Sequence, residues 1–358
     1  MSLSVDKKRC DQFWARQESD RPLLSAWIGT FDIAELYPNA MSSLPTGQLN
    51  PQDLDLSCLA LDYKNLYEIN ARTCSDIPWA AFPIMTLPWV EAIMGCPIYH
   101  RDGNIWAGHW LECYEQLDDF RLNADNPWLI KLLEFTEWLV ALFKGRAPVS
   151  NSLMRGPLDL LSALRGPEQM VLDLFDHPEE VHKSLQRLTD IWIYIAHAQQ
   201  SLIPDYAGGY AFGQIYLWGR ERGGWFQDDA LSLWSPKYYR KYLLPQESRL
   251  AGCLPLTGIH LHPGGLYAVD DLVQIPELDI IEINYDIGGP PLTSFISTLQ
   301  NAIRDKRLVL WGAYTDQELQ LLAQSLPCRG FALQIIAPTP EAFQQKADLI
   351  RKIWQEAV

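Results

Sequence analysis

The sequence is poor in basic residues, and no part of it carries a basic cluster. Lysine and arginine total 29 against 44 aspartates and glutamates, which gives a formal net charge of −15 over 358 residues. The densest basic stretch holds only Lys237, Arg240 and Lys241, with tyrosines between them. Because nucleic-acid binding depends on clustered lysine and arginine, this composition predicts a protein without a nucleic-acid partner.

Long apolar runs and paired cysteines are also missing. No run approaches the roughly 20 apolar residues that span a bilayer, and the first residues lack the apolar segment of a signal peptide. The seven cysteines are scattered, odd in number and without a Cys-x-x-Cys pair. We therefore expect a cytoplasmic protein with no membrane contact and no disulfide framework.

Three common catalytic signatures are absent from the sequence. It contains neither the GxGxxG dinucleotide fingerprint nor the GxxxxGK[ST] phosphate loop, so nucleotide-phosphate chemistry has no support. It also lacks the GxSxG elbow of serine hydrolases.

The sequence contains instead a recurring short apolar run followed by a helical pattern. Near-continuous apolar runs are typical of parallel strands that helices cover. Eight such runs are the number that closes a barrel. The pattern therefore predicts an α/β fold, a (β/α)8 TIM barrel formed by residues 1–358 as a single domain with an N-terminal extension. The runs cover residues 23–28, 77–85, 149–154, 206–217, 256–262, 278–284, 307–311 and 330–337.

Several segments, mostly in the second half of the chain, share the character of one known family. They are Arg155-Gly156-Pro157-Leu158-Asp159-Leu160, Leu164-Arg165-Gly166, Asp173-Leu174-Phe175-Asp176 with Pro178-Glu179, Ser235-Pro236 with Tyr238-Tyr239 and Leu244-Pro245, Gly258-Ile259-His260-Leu261-His262-Pro263-Gly264-Gly265, and Gly330-Phe331-Ala332-Leu333 with Pro338-Thr339-Pro340-Glu341. Over these segments the chain resembles the uroporphyrinogen decarboxylase superfamily, and we place it with the methyltransferase-like branch of barrels.

The resemblance implies a (β/α)8 barrel with its pocket at the C-terminal ends of the strands. It also implies one of two chemistries: decarboxylation in the tetrapyrrole pathway without a cofactor, or zinc-dependent methyl transfer with a corrinoid partner. The methyltransferases carry His-x-Cys and a later Cys in the last strand, where this chain has His262 and Gln334. The decarboxylase carries arginines after its first strand, where this chain reads Trp27-Ile28-Gly29-Thr30-Phe31-Asp32.

His260 and His262 are the sharpest candidates for chemistry. Two residues apart on a strand, their side chains point to the same face, at the C-terminal strand ends where barrel enzymes work. They could share one zinc ion, with Glu282 as the natural third ligand, or run acid–base chemistry without a metal. A third interpretation is a pair of hydrogen-bonded structural histidines.

Two carboxylates are further catalytic candidates. Glu282 lies in the apolar run 278–284, where an acid must be paired, protonated or bound to a metal; a salt bridge inside the barrel is the alternative. Asn284, two residues on, is a candidate substrate ligand. Asp228 follows Trp225-Phe226-Gln227 in what we interpret as a loop, where an acid is either catalytic or simply solvated.

The remaining candidates are expected to hold the substrate. Arg155 directly follows its apolar run and could clamp a carboxylate or phosphate, or form a salt bridge to a neighbouring loop. Of the 14 tryptophans, several fall near strand ends and would make a flat wall for a ring-bearing substrate, although most buried tryptophans are core residues. The residues with this predicted role are Arg155, Trp27, Trp79, Trp218, Trp311, Asn284 and Gln334.

We therefore predict an enzyme that acts on a small ring-bearing molecule, most simply by methyl transfer at His260, His262 and Glu282. One alternative is a decarboxylase of the tetrapyrrole type that uses the same pocket without a metal. Another is a carbohydrate-active barrel with Glu282 and Asp228 as its paired carboxylates. A barrel that binds a ligand without catalysis is the third.

Overall fold

A computed structural model of the chain describes residues 3–214 and 216–357. Its central element is a parallel six-stranded sheet in the order β1-β11-β10-β9-β8-β7. A three-stranded antiparallel sheet (β2-β3-β4) and an antiparallel hairpin (β5-β6) lie outside it. The described strands are β1 (Leu23–Ile28), β2 (Gly47–Leu49), β3 (Ile98–Arg101), β4 (Asn104–Ala107), β5 (Tyr210–Phe212), β6 (Leu217–Gly219), β7 (Gly223–Gln227), β8 (Leu256–Leu261), β9 (Ile280–Tyr285), β10 (Arg307–Gly312) and β11 (Phe331–Ala337).

Helices follow the strands of the main sheet and cover its outer face. Many of them begin at a proline, whose fixed φ suits the first helical position. The described α-helices are α1 (Lys7–Trp14), α2 (Ile33–Leu36), α3 (Pro38–Ser43), α4 (Ala60–Asn70), α5 (Trp89–Ile93), α6 (Tyr114–Asp119), α7 (Pro127–Phe143), α8 (Pro157–Arg165), α9 (Pro167–Asp176), α10 (Pro178–Gln200), α11 (Pro236–Tyr238), α12 (Leu244–Ala251), α13 (Val269–Leu272), α14 (Ile296–Asp305), α15 (Asp316–Ser325) and α16 (Pro340–Ala357). Short 3-10 turns cover Pro51–Asp53, Leu56–Leu59, Asp229–Leu233, Pro263–Ala268 and Leu292–Ser294, and a π-helical turn covers Tyr239–Leu243.

The gap between β1 and β7 is bridged by two irregular segments. The backbone amide of Asp76 donates a hydrogen bond to the carbonyl of Leu24 on β1. The backbone amide of Ser150 donates to the carbonyl of Ala81. Arg155 then forms an isolated parallel bridge with Gln227 on β7. The α/β class is thus confirmed, whereas a closed barrel of eight regular strands is not.

Neither predicted strand, 77–85 or 149–154, forms a regular strand. Pro78 and Pro83 lack the amide hydrogen that a ladder needs within the first run, and Pro148 lacks it directly before the second. The two runs meet in an isolated bridge between Ala81 and Val149.

The prediction of a barrel strand over 206–217 is also wrong. That stretch forms β5 and the start of β6, a hairpin outside the main sheet, while the parallel strand is β7, which we had interpreted as a loop. Gly223, which opens β7, is required for packing, because a Cβ at this position would lie 2.1 Å from the buried ring of Phe212.

The N-terminal ends of the parallel strands enclose an apolar cluster. It is sealed from outside by α1 and by the β5-β6 hairpin. Trp218 of the hairpin is fully buried and donates its indole N–H to the carbonyl of Tyr206 over 2.8 Å. The buried members are Cys10, Phe13, Leu23, Ile77, Phe212, Leu217, Trp218, Trp225, Ile280, Val309 and Ala332.

Within the described residues, no helix combines the length and apolar character that a membrane crossing requires.

Candidate functional site

Three neighbouring strands bring polar side chains to one level of the barrel interior. His260 on β8 lies in register with Glu282 on β9 and with Gln227 on β7. Since side chains alternate along a strand, these three share the side that faces the interior. All three are buried, with 7% exposure or less.

His260 and Glu282 form a buried pair. Nδ1 of His260 contacts Oε2 of Glu282 at hydrogen-bonding distance. Burial lowers the pKa of His260. The charge of the Glu282 carboxylate and its hydrogen bond raise this pKa by a larger amount, so the net shift is upward. The predicted pairing of Glu282 within the barrel is therefore present, and its partner is a histidine.

His262 is oriented in the same way by another acid of the β9 end. Its Nδ1 lies 2.8 Å from Oδ1 of Asp286. The side-chain amide of Asn284 donates to that same Asp286 oxygen over 2.6 Å. Asn284, predicted to bind substrate, thus holds the acid that orients His262.

The remaining ring nitrogens of the two histidines face each other. Nε2 of His260 lies 3.1 Å from Nε2 of His262. Because an ionised carboxylate only accepts hydrogen bonds, each Nδ1 must be the donor to its acid, which leaves a lone pair on each Nε2. Two lone pairs at this distance repel each other unless a proton or a cation lies between them.

Asp229 adds an oxygen to the same point. Its Oδ1 lies 3.7 Å from Nε2 of His262, and its Oδ2 accepts a 2.8 Å hydrogen bond from Nε2 of Gln227. One ligand atom each from Asp229, His260 and His262 fall within 4.8 Å of one another. Two imidazoles and a carboxylate suit Zn²⁺ and other divalent first-row metals.

The predicted third ligand was Glu282, and the geometry favours Asp229. Glu282 contacts Nδ1 of His260, on the far side of the ring from the converging nitrogens. It therefore has the position of a carboxylate that fixes the ring and its tautomer behind a metal. Asp229 was missed because β7 was interpreted as a loop. With that strand recognised, alternation from Trp225 through Gln227 points to Asp229.

Asp228, predicted to be catalytic, has its carboxylate hydrogen-bonded to the start of α8. It is 2% exposed, and its Oδ1 accepts hydrogen bonds from the amides of Leu158 (2.8 Å) and Asp159 (3.1 Å) at the start of α8. Gly156 is required there, because a Cβ would lie 2.4 Å from the Asp228 carboxylate. Burial and the nearby Asp159 raise the pKa of Asp228 well above its ordinary value.

Two of the predicted tryptophans lie together beside the histidines. The rings of Trp27 and Trp311 are 5.1 Å apart, and Trp311 is 6.1 Å from the ring of His260. Trp27 also stacks on Tyr216 at 5.6 Å. Trp79 lines a small cavity with Trp27 and Tyr216.

Trp218 and Gln334 differ in their surroundings. Trp218 lies at the opposite, N-terminal end of the strands, so the structure does not bring it to the predicted wall. Gln334 on β11 is fully buried and lies in register with Trp311 on β10. Its side-chain amide donates a hydrogen bond to the carbonyl of Gln214 over 2.6 Å. Its Oε1 has no hydrogen-bond partner among the described residues.

Arg155 lies on a cleft that borders the candidate metal centre. Its guanidinium contacts Oε1 of Glu91 at 2.6 Å, so the alternative of a salt bridge to a neighbour is realised. The cleft has a volume of about 660 Å³, and Asp159 and Asp229 also line it. Burial, followed by the charge of Asp229, raises the pKa of Asp159 to about 7.

The fold and the converging side chains define a TIM-barrel-like protein with a candidate metal centre at the C-terminal ends of its strands. No family model matches the sequence, and no curated protein matches it. A solved methyltransferase from Methanosarcina mazei is similar in structure, with a TM-score of 0.63 and 16% identity over 98% of this chain and 99% of that one. At 16% identity this match shows a shared fold, and it does not assign the chain to a family.

A B12-independent methionine synthase from Shewanella sp. W3-18-1, in complex with selenomethionine, gives a weaker match. Its TM-score is 0.39 with 13% identity, over 63% of this chain and 65% of that one. A score at this level does not establish a shared fold.

Proposed function

We propose that this chain is a metal-dependent enzyme that transfers a methyl group to or from a small ring-bearing substrate. The supporting observation is the convergence of two imidazole lone pairs and a carboxylate on one point, with each imidazole fixed by a second carboxylate. In this proposal Asp229, His260 and His262 hold the metal. The methyl-transfer part of the proposal comes from the fold shared with the M. mazei methyltransferase.

The residues around the centre have separate tasks in this proposal. Glu282 and Asp286 fix the two histidine rings and keep both Nε2 atoms free of hydrogen. A bound divalent ion would supply Lewis-acid polarisation of a substrate heteroatom. Trp311, beside His260, excludes water from one side of the centre and offers a flat surface to a ring.

The donor set bears on the kind of methyl transfer. The centre has nitrogen and oxygen donors, and no cysteine belongs to the group among the described residues. We therefore propose an oxygen-bound methyl group, as in a methoxylated aromatic compound, with a corrinoid as the acceptor. The carbon–oxygen bond would break, the methyl group would bond to reduced cobalt, and the released phenolate would take up a proton.

Neither alternative activity gains comparable support. A tetrapyrrole substrate carries many carboxylates, whereas Arg155 is the only lysine or arginine that lines the cleft in the described part of the chain. For glycoside chemistry, Asp228 would have to act on a sugar, but its carboxylate accepts from the amides of α8.

The metal centre is tested by elemental analysis of protein purified without chelators. Wild type should contain about one divalent ion per chain, and His262→Ala and Asp229→Asn should each lose most of it. The matched controls are His197→Ala and Asp125→Asn, because both side chains are exposed and remote from the centre. Wild type without metal, or full metal content in both site variants, contradicts the proposal.

The reaction is tested with the metal-loaded protein, a methoxylated aromatic acid and reduced cobalamin. The expected result is release of the phenol together with the absorbance of methylcobalamin, both lost in His262→Ala. Metal binding without any methyl transfer from this donor would retain the centre and reject the chemistry.

A further inference from the structure

The cleft beside the metal centre has one side that is apolar and one that is charged. It lies between the end of β7, the start of α8 and the β3-β4 hairpin. Asp229, a candidate metal ligand, forms part of its wall, so a molecule in the cleft reaches the centre directly. The apolar part of the lining is Met85, Leu87, Pro88, Ile105, Trp106, Ala107, Leu153, Ala163, Pro167, Ala230 and Leu233.

Arg155 is fixed by its backbone bridge and by one ion pair, while the rest of its guanidinium group is open to the cleft. Its backbone is tied to β7 by the bridge to Gln227. Only Nη2 has a partner, Oε1 of Glu91, and Glu91 is 1% exposed. The other guanidinium N–H groups have no hydrogen-bond partner among the described residues, and the side chain is 36% exposed. A fixed, planar, partly open guanidinium is suited to a carboxylate.

The charge balance of the cleft changes with the metal. Without it, the carboxyl groups of Glu91, Asp159 and Asp229 face the single guanidinium of Arg155. A divalent ion on Asp229 reverses the sign around the open face of Arg155. Glu91 raises the pKa of Arg155, so the guanidinium stays protonated throughout. The loaded cleft therefore favours a ligand with one negative charge.

The aromatic wall sets the shape of that ligand. Trp106 on β4 is 43% exposed and stacks on Tyr99 of β3, with ring centroids 5.7 Å apart. One face of its ring is thus supported by the hairpin. A cavity of about 660 Å³ is within the usual range for a small organic ligand.

We propose that the cleft binds an aromatic monocarboxylate, with the carboxylate on Arg155, the ring on the apolar wall by Trp106, and the opposite end of the ring toward Asp229. This deepens the proposed function by naming the substrate class, and it rests on that function only for the metal charge. A ligand with several carboxylates is disfavoured, since no second lysine or arginine lines the described part of the cleft.

The test compares 4-methoxybenzoate with its neutral isostere 4-methoxybenzamide by calorimetry on the zinc-loaded protein. Wild type should bind the acid at least about tenfold more tightly than the amide, the size expected for a charged hydrogen-bonded pair. Arg155→Lys should lose most of this preference, because lysine keeps the charge that Glu91 needs but cannot bind a carboxylate in the planar two-point mode.

Arg165→Lys is the matched control, because Arg165 ends α8, the helix that follows Arg155, and pairs with Asp173 outside the cleft. It should keep the wild-type preference for the acid. Equal binding of acid and amide by wild type, no binding of either, or an unchanged preference in Arg155→Lys would overturn the proposal.

Metal content of the same preparations separates the two proposals. If the protein takes up no metal yet prefers the acid through Arg155, the metal chemistry and the charge argument are rejected and the substrate class is retained. If it takes up metal but shows no preference for the acid, the metal centre is retained and the substrate class is rejected.

Discussion

The two ends of the barrel interior are built from the same strands with opposite chemistry. On β9, Ile280 lies in the apolar N-terminal cluster, and Glu282, two residues on, lies in the polar layer above it. On β11, Ala332 and Gln334 show the same change. The N-terminal end is filled with close-packed apolar side chains, which stabilise by burial and dispersion.

The C-terminal end gives up part of that stabilisation. It buries the His260–Glu282 pair, whose desolvation opposes its attraction. Oε1 of Glu282, Oε1 of Gln334 and Nε1 of Trp311 have no hydrogen-bond partner among the described residues. Such buried polar groups cost free energy, and a layer that carries them beside a buried ion pair is typical of a site selected for function and not for stability.

The largest expected effect is at the N-terminal end. Trp218→Ala removes a fully buried ring and should lower the free energy of unfolding by about 3–5 kcal/mol, measured by denaturant titration. Metal content should stay at the wild-type value. His262→Ala should give the opposite result, with metal lost and a smaller loss of stability. If Trp218→Ala lost the metal while folded, the two ends would not be independent.

A pH titration examines a buried acid that belongs neither to the N-terminal apolar cluster nor to the candidate metal centre. Glu247 on α12 is fully buried and accepts from the Tyr239 hydroxyl over 2.7 Å. Burial raises its pKa from 4.5 to about 8. The folded protein therefore holds this proton where the unfolded chain releases it, and stability should fall as pH rises from about 4.5 to 8.

Glu247→Gln should flatten this pH dependence by removing the titrating group. The measurement is the free energy of unfolding at about pH 5 and pH 8. Glu221→Gln, at an exposed position, should keep the wild-type slope. An equal slope in Glu247→Gln and wild type would assign the dependence to other groups.

The smallest effect is expected where α1 meets the hairpin. Arg220 and Asp11 form a 2.7 Å ion pair with about half of each side chain exposed. Because water screens such pairs, Arg220→Ala should leave the unfolding midpoint unchanged at physiological salt. Phe13→Ala, which removes a buried ring of the N-terminal cluster, should lower it. A clear loss in Arg220→Ala would show that this side chain, through its ion pair or its contact with the Trp218 ring, helps to dock α1.

Sequence periodicity predicted the strands whose burial is continuous. β1, β8, β9, β10 and β11 all coincide with predicted apolar runs. β7, which begins with Gly223 and Gly224, was missed, and only the position of Phe212 explains why Gly223 is needed. Local patterns carry no information about such contacts between distant segments.

The parts of the candidate site that lie on correctly predicted strands were also predictable. His260, His262 and Glu282 were expected to lie together because their strands were identified correctly. The roles of Asp228 and Asp229 depended on β7, where an error of one residue reverses the side of the strand. The partner of Arg155, Glu91, comes from a helix 64 positions earlier in the chain, which no spacing rule connects to it.

The sealed N-terminal end also determines how small molecules can enter and leave the barrel interior. With α1 and the β5-β6 hairpin closing one mouth, the described structure leaves the C-terminal face as the way both in and out. Under the proposed function, a product would have to leave along the path by which the next substrate arrives, so the two would compete for one opening. Product release would then limit turnover as much as bond breaking does.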